Sequence, residues 1–219
     1  MRDRDRPARI LVTGFPAFPG APDNPTEWLM GALAGWRPAG ADLATAVLPV
    51  DFIAAPSVLE AIGADYQPDI AIHFGLALAA KGFRLERLAK NRCYSSTPDN
   101  RGEVRSDDPI VAGASHCAAT LPLDMIAERL ALADLPVEWS DDAGGYLCNH
   151  VMFHALSDRV AKDYSPAMAG FVHVPLLERM RGEGQCGCVT LTESQLLPGA
   201  QIVIGSALTA YRSEPPEKG

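Results

Sequence analysis

The sequence predicts an α/β fold: one domain over residues 1–219, built on a mostly parallel or mixed central sheet. Three observations lead there. Segments of strand character alternate with segments of helix character along the chain. No linker-like break, internal repeat or low-complexity segment interrupts them. Of the 219 residues, 47% are apolar and 21% charged, enough for an ordinary globular core without disulfide staples.

Ile10-Leu11-Val12 is a short apolar run ending at Thr13-Gly14, which reads as a buried strand entering a loop. That loop, 15–25, carries four Pro and one Gly and holds Phe15 and Phe18. A helix starts near Pro25-Thr26, with Pro at the favoured first turn, and carries Trp28, Leu29, Leu33 and Trp36. Residues 43–50 suit a second strand, and 53–66 a helix with Val58, Leu59 and Ile62 on one face. A strand over 69–74 ends at Gly75. The segment 84–91 fits either state and is read as a strand. Residues 95–114 form a polar loop region containing Pro and Gly. A helix over 122–132 places Met125, Ile126 and Leu130 at helical spacing, and a short strand follows at 137–139. After Ala143-Gly144-Gly145 come an apolar helix over 146–161 and a strand over 170–177. The last helix spans 197–211 and is expected to begin at Pro198. The charged segment 1–8 and the tail 214–219 lie outside this frame, and the tail is expected to fray.

Lys plus Arg number 19 and Asp plus Glu 27, a net charge of −8. An acidic chain is a poor partner for nucleic acid or an anionic membrane. No run approaches the roughly 18 apolar residues of a membrane span. Residues 1–9 are charged and lack the apolar segment of a secretory signal. The five Cys (Cys93, Cys117, Cys148, Cys186 and Cys188) are odd in number and show no disulfide-type spacing. The expectation is a cytoplasmic protein with at least one free thiol.

Cys148 follows Gly144-Gly145 at the first turn of an expected helix. There the unpaired N–H groups and the dipole favour a thiolate, and the same N–H groups suit an oxyanion. A Cys taken at random is more often a small buried hydrophobe. A thiolate needs a base, and the candidates are His73, His116, His150, His154 and His173. His173 stands near the end of the apolar strand Phe171-Val172-His173-Val174-Pro175, where active crevices form in α/β sheets. His73 lies in a similar setting and is the weaker competitor. His150 and His154 are four apart on one helix face, as metal ligands can be, but the Glu of the zinc motif and a third ligand are missing. Cys186-Gly187-Cys188 supplies only two thiols, so no metal is expected. Glu86, set among Leu85, Leu88 and Ala89, is a carboxylate that is costly to bury unpaired. It suits an imidazole partner, a solvated place on an edge strand, or an ion pair with Arg84 or Arg87. Asp99, in Pro98-Asp99-Asn100, reads by default as a turn residue. Gly75 to Gly82 matches neither nucleotide-binding pattern.

From about Ile10 to Tyr211 the chain resembles pyroglutamyl-peptidase I, also called pyrrolidone-carboxylate peptidase, a family of cysteine peptidases. The resemblance is carried by Thr13-Gly14-Phe15, Phe18, Gly20 and Asn24-Pro25, and by Leu48-Pro49-Val50. It continues in His73-Phe74-Gly75-Leu76-Ala77, in Glu86-Arg87-Leu88-Ala89-Lys90-Asn91, and in Pro98-Asp99-Asn100 with Gly102. Ala143-Gly144-Gly145-Tyr146-Leu147-Cys148-Asn149-His150-Val151-Met152 is the strongest piece, followed by the segment around His173. The chain departs from the family pattern at Leu78-Ala79-Ala80 and from Arg92 to Thr97, both beside the substrate site by analogy.

The resemblance implies Cys148 as nucleophile, His173 as base, Glu86 as its orienter and Asp99 as a supporting carboxylate. It implies Phe15, Phe18 and Leu76 as substrate-binding residues. It further implies a three-layer α/β/α sandwich of the phosphorylase/hydrolase-like kind, often tetrameric, with no metal or cofactor. The expected activity is removal of an N-terminal pyroglutamyl (5-oxoprolyl) residue from small peptides. Two other readings stand beside it: a Cys-dependent amidase or peptidase acting on a different blocked amino end, and a non-catalytic binding protein on the same scaffold. The intact Cys148, Glu86 and His173 argue against the latter.

Overall fold

The computed structural model describes residues 6–160, 164–182 and 187–213. Its elements run β1 (Ala8–Gly14), α1 (Pro25–Ala34), β2 (Ala41–Val47), α2 (Ala54–Tyr66), β3 (Ile70–Leu76) and β4 (Phe83–Glu86). There follow the short strands β5 (Leu88–Ala89), β6 (Cys93–Ser95), β7 (Arg105–Asp108) and β8 (Cys117–Ala118). The second half comprises α3 (Leu123–Leu132), β9 (Val137–Ser140), α4 (Leu147–Leu156) and β10 (Met168–Val174). It closes with β11 (Leu176–Leu177), a 3-10 turn at Glu178–Met180, β12 (Thr190–Leu191) and α5 (Glu193–Ser213).

Six strands form the central sheet in the order β2-β1-β3-β10-β4-β9. The first four are mutually parallel; β4 is antiparallel to β10, and β9 runs parallel to β4. The sheet is therefore mixed. Successive strand side chains point to opposite faces, so each buried strand feeds two cores. Ile10, Val12, Ile72, Phe74, Val172 and Val174 pack with α1, α3 and α5. Leu11, Ala71, Ala169 and Phe171 pack with α2 and α4. The expected three layers are present.

Several boundaries differ from the sequence expectation. The stretch 84–91 is two strands rather than one: after Glu86 the chain leaves the sheet, and β5 pairs with β8 instead. The polar region 95–114 holds β7, paired antiparallel with β6. Its side chains are largely exposed, so no hydrophobic alternation marks it. Helix α4 stops at Leu156, because Ser157 turns extended. Pro175 divides the strand 170–177 into β10 and β11, since Pro has no N–H to give a ladder.

Helix α5 begins at Glu193, not at Pro198. The Gln195 side chain accepts from the Thr192 N–H at 2.9 Å, half of a capping box. That start outweighs the proline, which sits inside the helix, gives no N–H to the Ser194 carbonyl and crowds it with its ring. The tail 214–219, the expected helix end at Ala161 and Cys186 lie outside the described residues.

Candidate active site

Strand alternation and one helix start assemble the site. Phe171 and His173 face the α4 side of β10, with His173 one residue from the strand's end. Gly144, at φ +83°, makes the left-handed turn that leads the chain toward α4. Tyr146 is the helix N-cap and offers no side-chain acceptor, which leaves Cys148 as the second helical residue among uncapped N–H groups. Gly75 on β3 admits the sulfur: a methyl group there would lie 2.9 Å from Cys148 Sγ and 2.6 Å from Phe171 Cζ.

His173 and Cys148 stand together at the wall of one cavity. The His173 Nδ1 lies 2.7 Å from Oε1 of Glu86, which leaves Nε2 for the sulfur. Glu86 is fully buried, and its second oxygen, Oε2, has no hydrogen-bond partner. Burial pulls the His173 pKa down. The neighbouring Cys148 charge and hydrogen bond, then Glu86, outweigh this and hold it at about 9.

Cys148 and His173 open into a cavity of about 170 Å³. Phe15, Phe18 and Leu76 line it, and so do Asn24, Val50, Ala143, Tyr146 and Leu147. Sequence reasoning did not single out the latter five as lining residues, although all of them stood within the motif segments. Tyr146 is a third aromatic wall, tilted against Phe18 at 5.8 Å between centroids and edge-on to Phe52 at 5.3 Å. Asn149 was also missed. It is fully buried, takes the Lys90 N–H on its oxygen and donates to the Lys90 and Arg92 carbonyls, fastening the start of α4 to the chain after β5.

Asp99 stands behind this wall. One of its oxygens accepts from the Phe52 N–H at 3.0 Å, and the other from Arg101 and Glu103 N–H groups at 2.9 Å each. Burial would raise its pKa, but these bonds, with Arg105 nearby, hold it below the usual aspartate value. The preceding carbonyl, Pro98, accepts from the Tyr146 hydroxyl at 3.0 Å, so the Asp99 turn steadies a cavity wall.

The other candidates are placed elsewhere. His73 is fully buried, with Nδ1 2.7 Å from Thr13 Oγ1, and burial lowers its pKa to about 3. His150 and His154 stack at 4.8 Å. Among the described residues no group of three or more His, Cys, Asp or Glu is arranged to hold a metal. Of the two departing segments, the first turns tightly through an Ala80 N–H to Ala77 carbonyl bond. The second lays the Tyr94 ring against Gly145, with Arg92 over that ring at 4.5 Å.

Comparison with known proteins points to one family. A family model described as pyroglutamyl peptidase matches residues 8–209. The chain is 42% identical over 170 residues to the pyrrolidone-carboxylate peptidase of Pyrococcus furiosus, covering 77% of this chain and 81% of that protein. It is 34% identical over 200 residues to pyrrolidone-carboxylate peptidase 1 of Ralstonia nicotianae, covering 91% and 92%. A crystal structure of the Pyrococcus furiosus pyrrolidone carboxyl peptidase superposes with a TM-score of 0.87 at 37% identity, over 93% of this chain and 99% of that one.

Proposed function

The chain belongs to the pyroglutamyl peptidase family of cysteine peptidases, and on that premise we propose that Cys148, His173 and Glu86 carry out its hydrolysis of N-terminal pyroglutamyl peptides. The observation that carries this assignment is Cys148 beside His173 in one aromatic-lined cavity, with His173 hydrogen-bonded to buried Glu86.

The pyroglutamyl ring is compact and uncharged. It enters the cavity between Phe15, Phe18 and Tyr146, where apolar contact replaces water. Cys148 Sγ attacks the acyl carbonyl carbon. The oxygen that becomes negative is met by N–H groups at the start of α4. His173 gives its proton to the departing amine, and the C–N bond breaks to leave a thioester on Cys148. Water then attacks the thioester, His173 takes its proton, and pyroglutamate leaves with the sulfur restored. Glu86 holds Nδ1 and stabilises the imidazolium without accepting its proton. Asp99 serves as a positioning carboxylate through the Pro98–Tyr146 bond.

This reading includes a homo-oligomer, a tetramer by family resemblance, at work in the cytoplasm on small peptides. Free thiols at Cys93, Cys117, Cys148 and Cys188 suit such a reducing compartment, and among the described residues no helix is long and apolar enough to cross a membrane. The deciding experiment is turnover of a pyroglutamyl arylamide by the wild type and by Cys148→Ser. Steady release by the wild type with loss in the variant supports the assignment; equal rates overturn it.

A further inference from the structure

Cys148 lies between two points at which the start of α4 is tied to one other stretch of chain, residues 90–94. On one side, the Tyr94 N–H donates to the Gly145 carbonyl at 2.9 Å. The Tyr94 ring and carbonyl also fill the place of a Cβ at Gly145, at 2.2–2.4 Å, so only glycine admits this approach. On the other side, the Asn149 oxygen accepts from the Lys90 N–H at 2.8 Å. The Asn149 amide nitrogen donates to the Lys90 carbonyl at 2.9 Å and to the Arg92 carbonyl at 2.8 Å. The chain turns tightly there, with the Arg92 N–H returning to the Lys90 carbonyl at 2.8 Å.

Asn149 is out of keeping with its helix. The other buried residues of α4 are Leu147, Val151, Met152, Phe153 and Ala155, and apolar packing of that kind seats a helix without any amide. Asn149 is nonetheless 0% exposed. Apolar contacts tolerate a small slide or rotation of a helix. Three hydrogen bonds to fixed backbone do not, because each is costly to leave unmade in the interior. The N-cap, Tyr146, makes no side-chain cap bond, so the first turn takes its placement from elsewhere. That placement matters because the neighbours of Cys148 stand on other elements, His173 on β10 and Gly75 on β3.

We propose that Asn149 is a positioning residue for the reaction: it clamps the first turn of α4 to residues 90–92, with Gly145 and Tyr94 on the opposite side, and so holds Cys148 in register with His173. The effect on turnover rests on the proposed function, whereas the reactivity of the thiol is read without any substrate. The clamp meets the backbone of Lys90, Arg92 and Tyr94. It therefore persists although the side chains from Arg92 to Thr97 depart from the family pattern.

The test compares the wild type with Asn149→Leu, close in size but without donor or acceptor, and Asn149→Ala, which leaves room for water beside the freed backbone groups. Two quantities are measured well below the Tm of each variant: kcat and KM for a pyroglutamyl arylamide, and the rate of Cys148 alkylation by iodoacetamide as a function of pH. Ile126→Ala, buried in α3 on the other face of the sheet, is the control for lowered stability. Expected for both Asn149 variants is a fall in kcat of about 10²-fold with KM within about threefold, the size of loss that a ~1 Å displacement brings. Their alkylation profile should move to higher pH, toward that of an ordinary thiol at about 8.5, as the sulfur leaves its place at the helix start. Ile126→Ala should lower Tm and leave both quantities unchanged. Folded Asn149 variants with wild-type kcat and an unshifted alkylation profile overturn the proposal, whatever their Tm. Failure of both to fold overturns it as well, since the amide then serves the fold as a whole. A wild type that hydrolyses no pyroglutamyl compound overturns the proposed function, and the alkylation profile alone then decides the clamp.

Discussion

Glu86 Oε1 lies 2.7 Å from His173 Nδ1, while Glu86 Oε2, equally buried, bonds to nothing. One oxygen of the carboxylate is committed to the imidazole and the other raises the local negative potential without a partner. The pair therefore acts on the proton held by His173 more than on the stability of the fold.

Replacing His173 should remove most turnover, about 10²–10⁴-fold in kcat, the usual share of a positioned acid–base group. His173→Ala also strands the buried Glu86 carboxylate, at a cost of about 3–5 kcal/mol, so melting must be followed alongside activity. His173→Gln keeps an N–H donor and isolates the chemical loss. Glu86→Gln should cost less than His173→Ala and should move the alkaline limit of kcat/KM below its wild-type position, because the charge that favours imidazolium is gone. Wild-type activity in His173→Gln would dismiss the pair.

Cys148 should be the thiol that iodoacetamide modifies first at neutral pH. Burial pushes the Cys93 thiol up to about 11 and raises Cys117 as well. Among the described residues, only Cys148 adjoins the His173 imidazolium at a helix start. Peptide mapping after partial labelling checks this; faster labelling of Cys93 or Cys117 contradicts it.

Stability should fall on both sides of neutrality. Folded His173 keeps its proton to about pH 9, against an ordinary 6.5. Its contribution is complete below pH 6.5 and is lost as pH rises through about 9. Burial lowers His73 and His150 to about 3 and His154 to about 4. Theirs is present above pH 6.5 and is lost as pH falls toward those values, because the unfolded chain takes up protons that the fold refuses. Calorimetric Tm from pH 4 to 10 reads both limbs, and His154→Gln should flatten the acid one. A Tm unchanged between pH 6.5 and 4 would contradict the burial argument.

Phe18→Ala should lower kcat/KM for a pyroglutamyl arylamide by removing one aromatic wall, worth ~1–3 kcal/mol of binding. Phe15→Ala should do the same and also lower Tm, since Phe15 is a core residue packed at 6.5 Å from the Phe171 ring. Steady-state kinetics with melting separates the two. Unchanged kcat/KM in both variants would place the ring elsewhere.

Gly75→Ala should nearly silence the enzyme. The added methyl group meets Cys148 Sγ and the Phe171 ring, and a shift of the nucleophile by ~1 Å can cost ~10²-fold. Activity within a few-fold of wild type would mean that the sulfur has room to move.

Element order was legible because apolar alternation and helical spacing record burial directly; the three-layer arrangement came from the family resemblance. Cys148, His173 and Glu86 were legible through their settings: a Gly-led helix start, a polar residue closing an apolar strand, a carboxylate among leucines. Family resemblance then gave each its role. What remained hidden is long-range. The β6–β7 pairing is polar and exposed, so nothing periodic announces it. The cavity contribution of Tyr146 depends on edge-on support from Phe52, far away in sequence. The start of α5 was readable at Thr192-Glu193-Ser194-Gln195, but the proline at 198 drew the boundary inward.

The reversal of β4 beside β10 has a consequence for how such an enzyme can diverge. Because the two strands run in opposite directions, Arg84 lies opposite His173 and Glu86 lies opposite Phe171, farther from the crevice. The carboxylate is thus supplied by the last residue of β4 and the imidazole by the next-to-last residue of β10, so both stand on paired strands. The segments after Leu76 and around Tyr94 lie outside that ladder, and neither Leu78–Ala80 nor Tyr94 lines the cavity that holds Cys148 and His173. Substitutions there leave the proton-handling pair in place, because paired strands carry it.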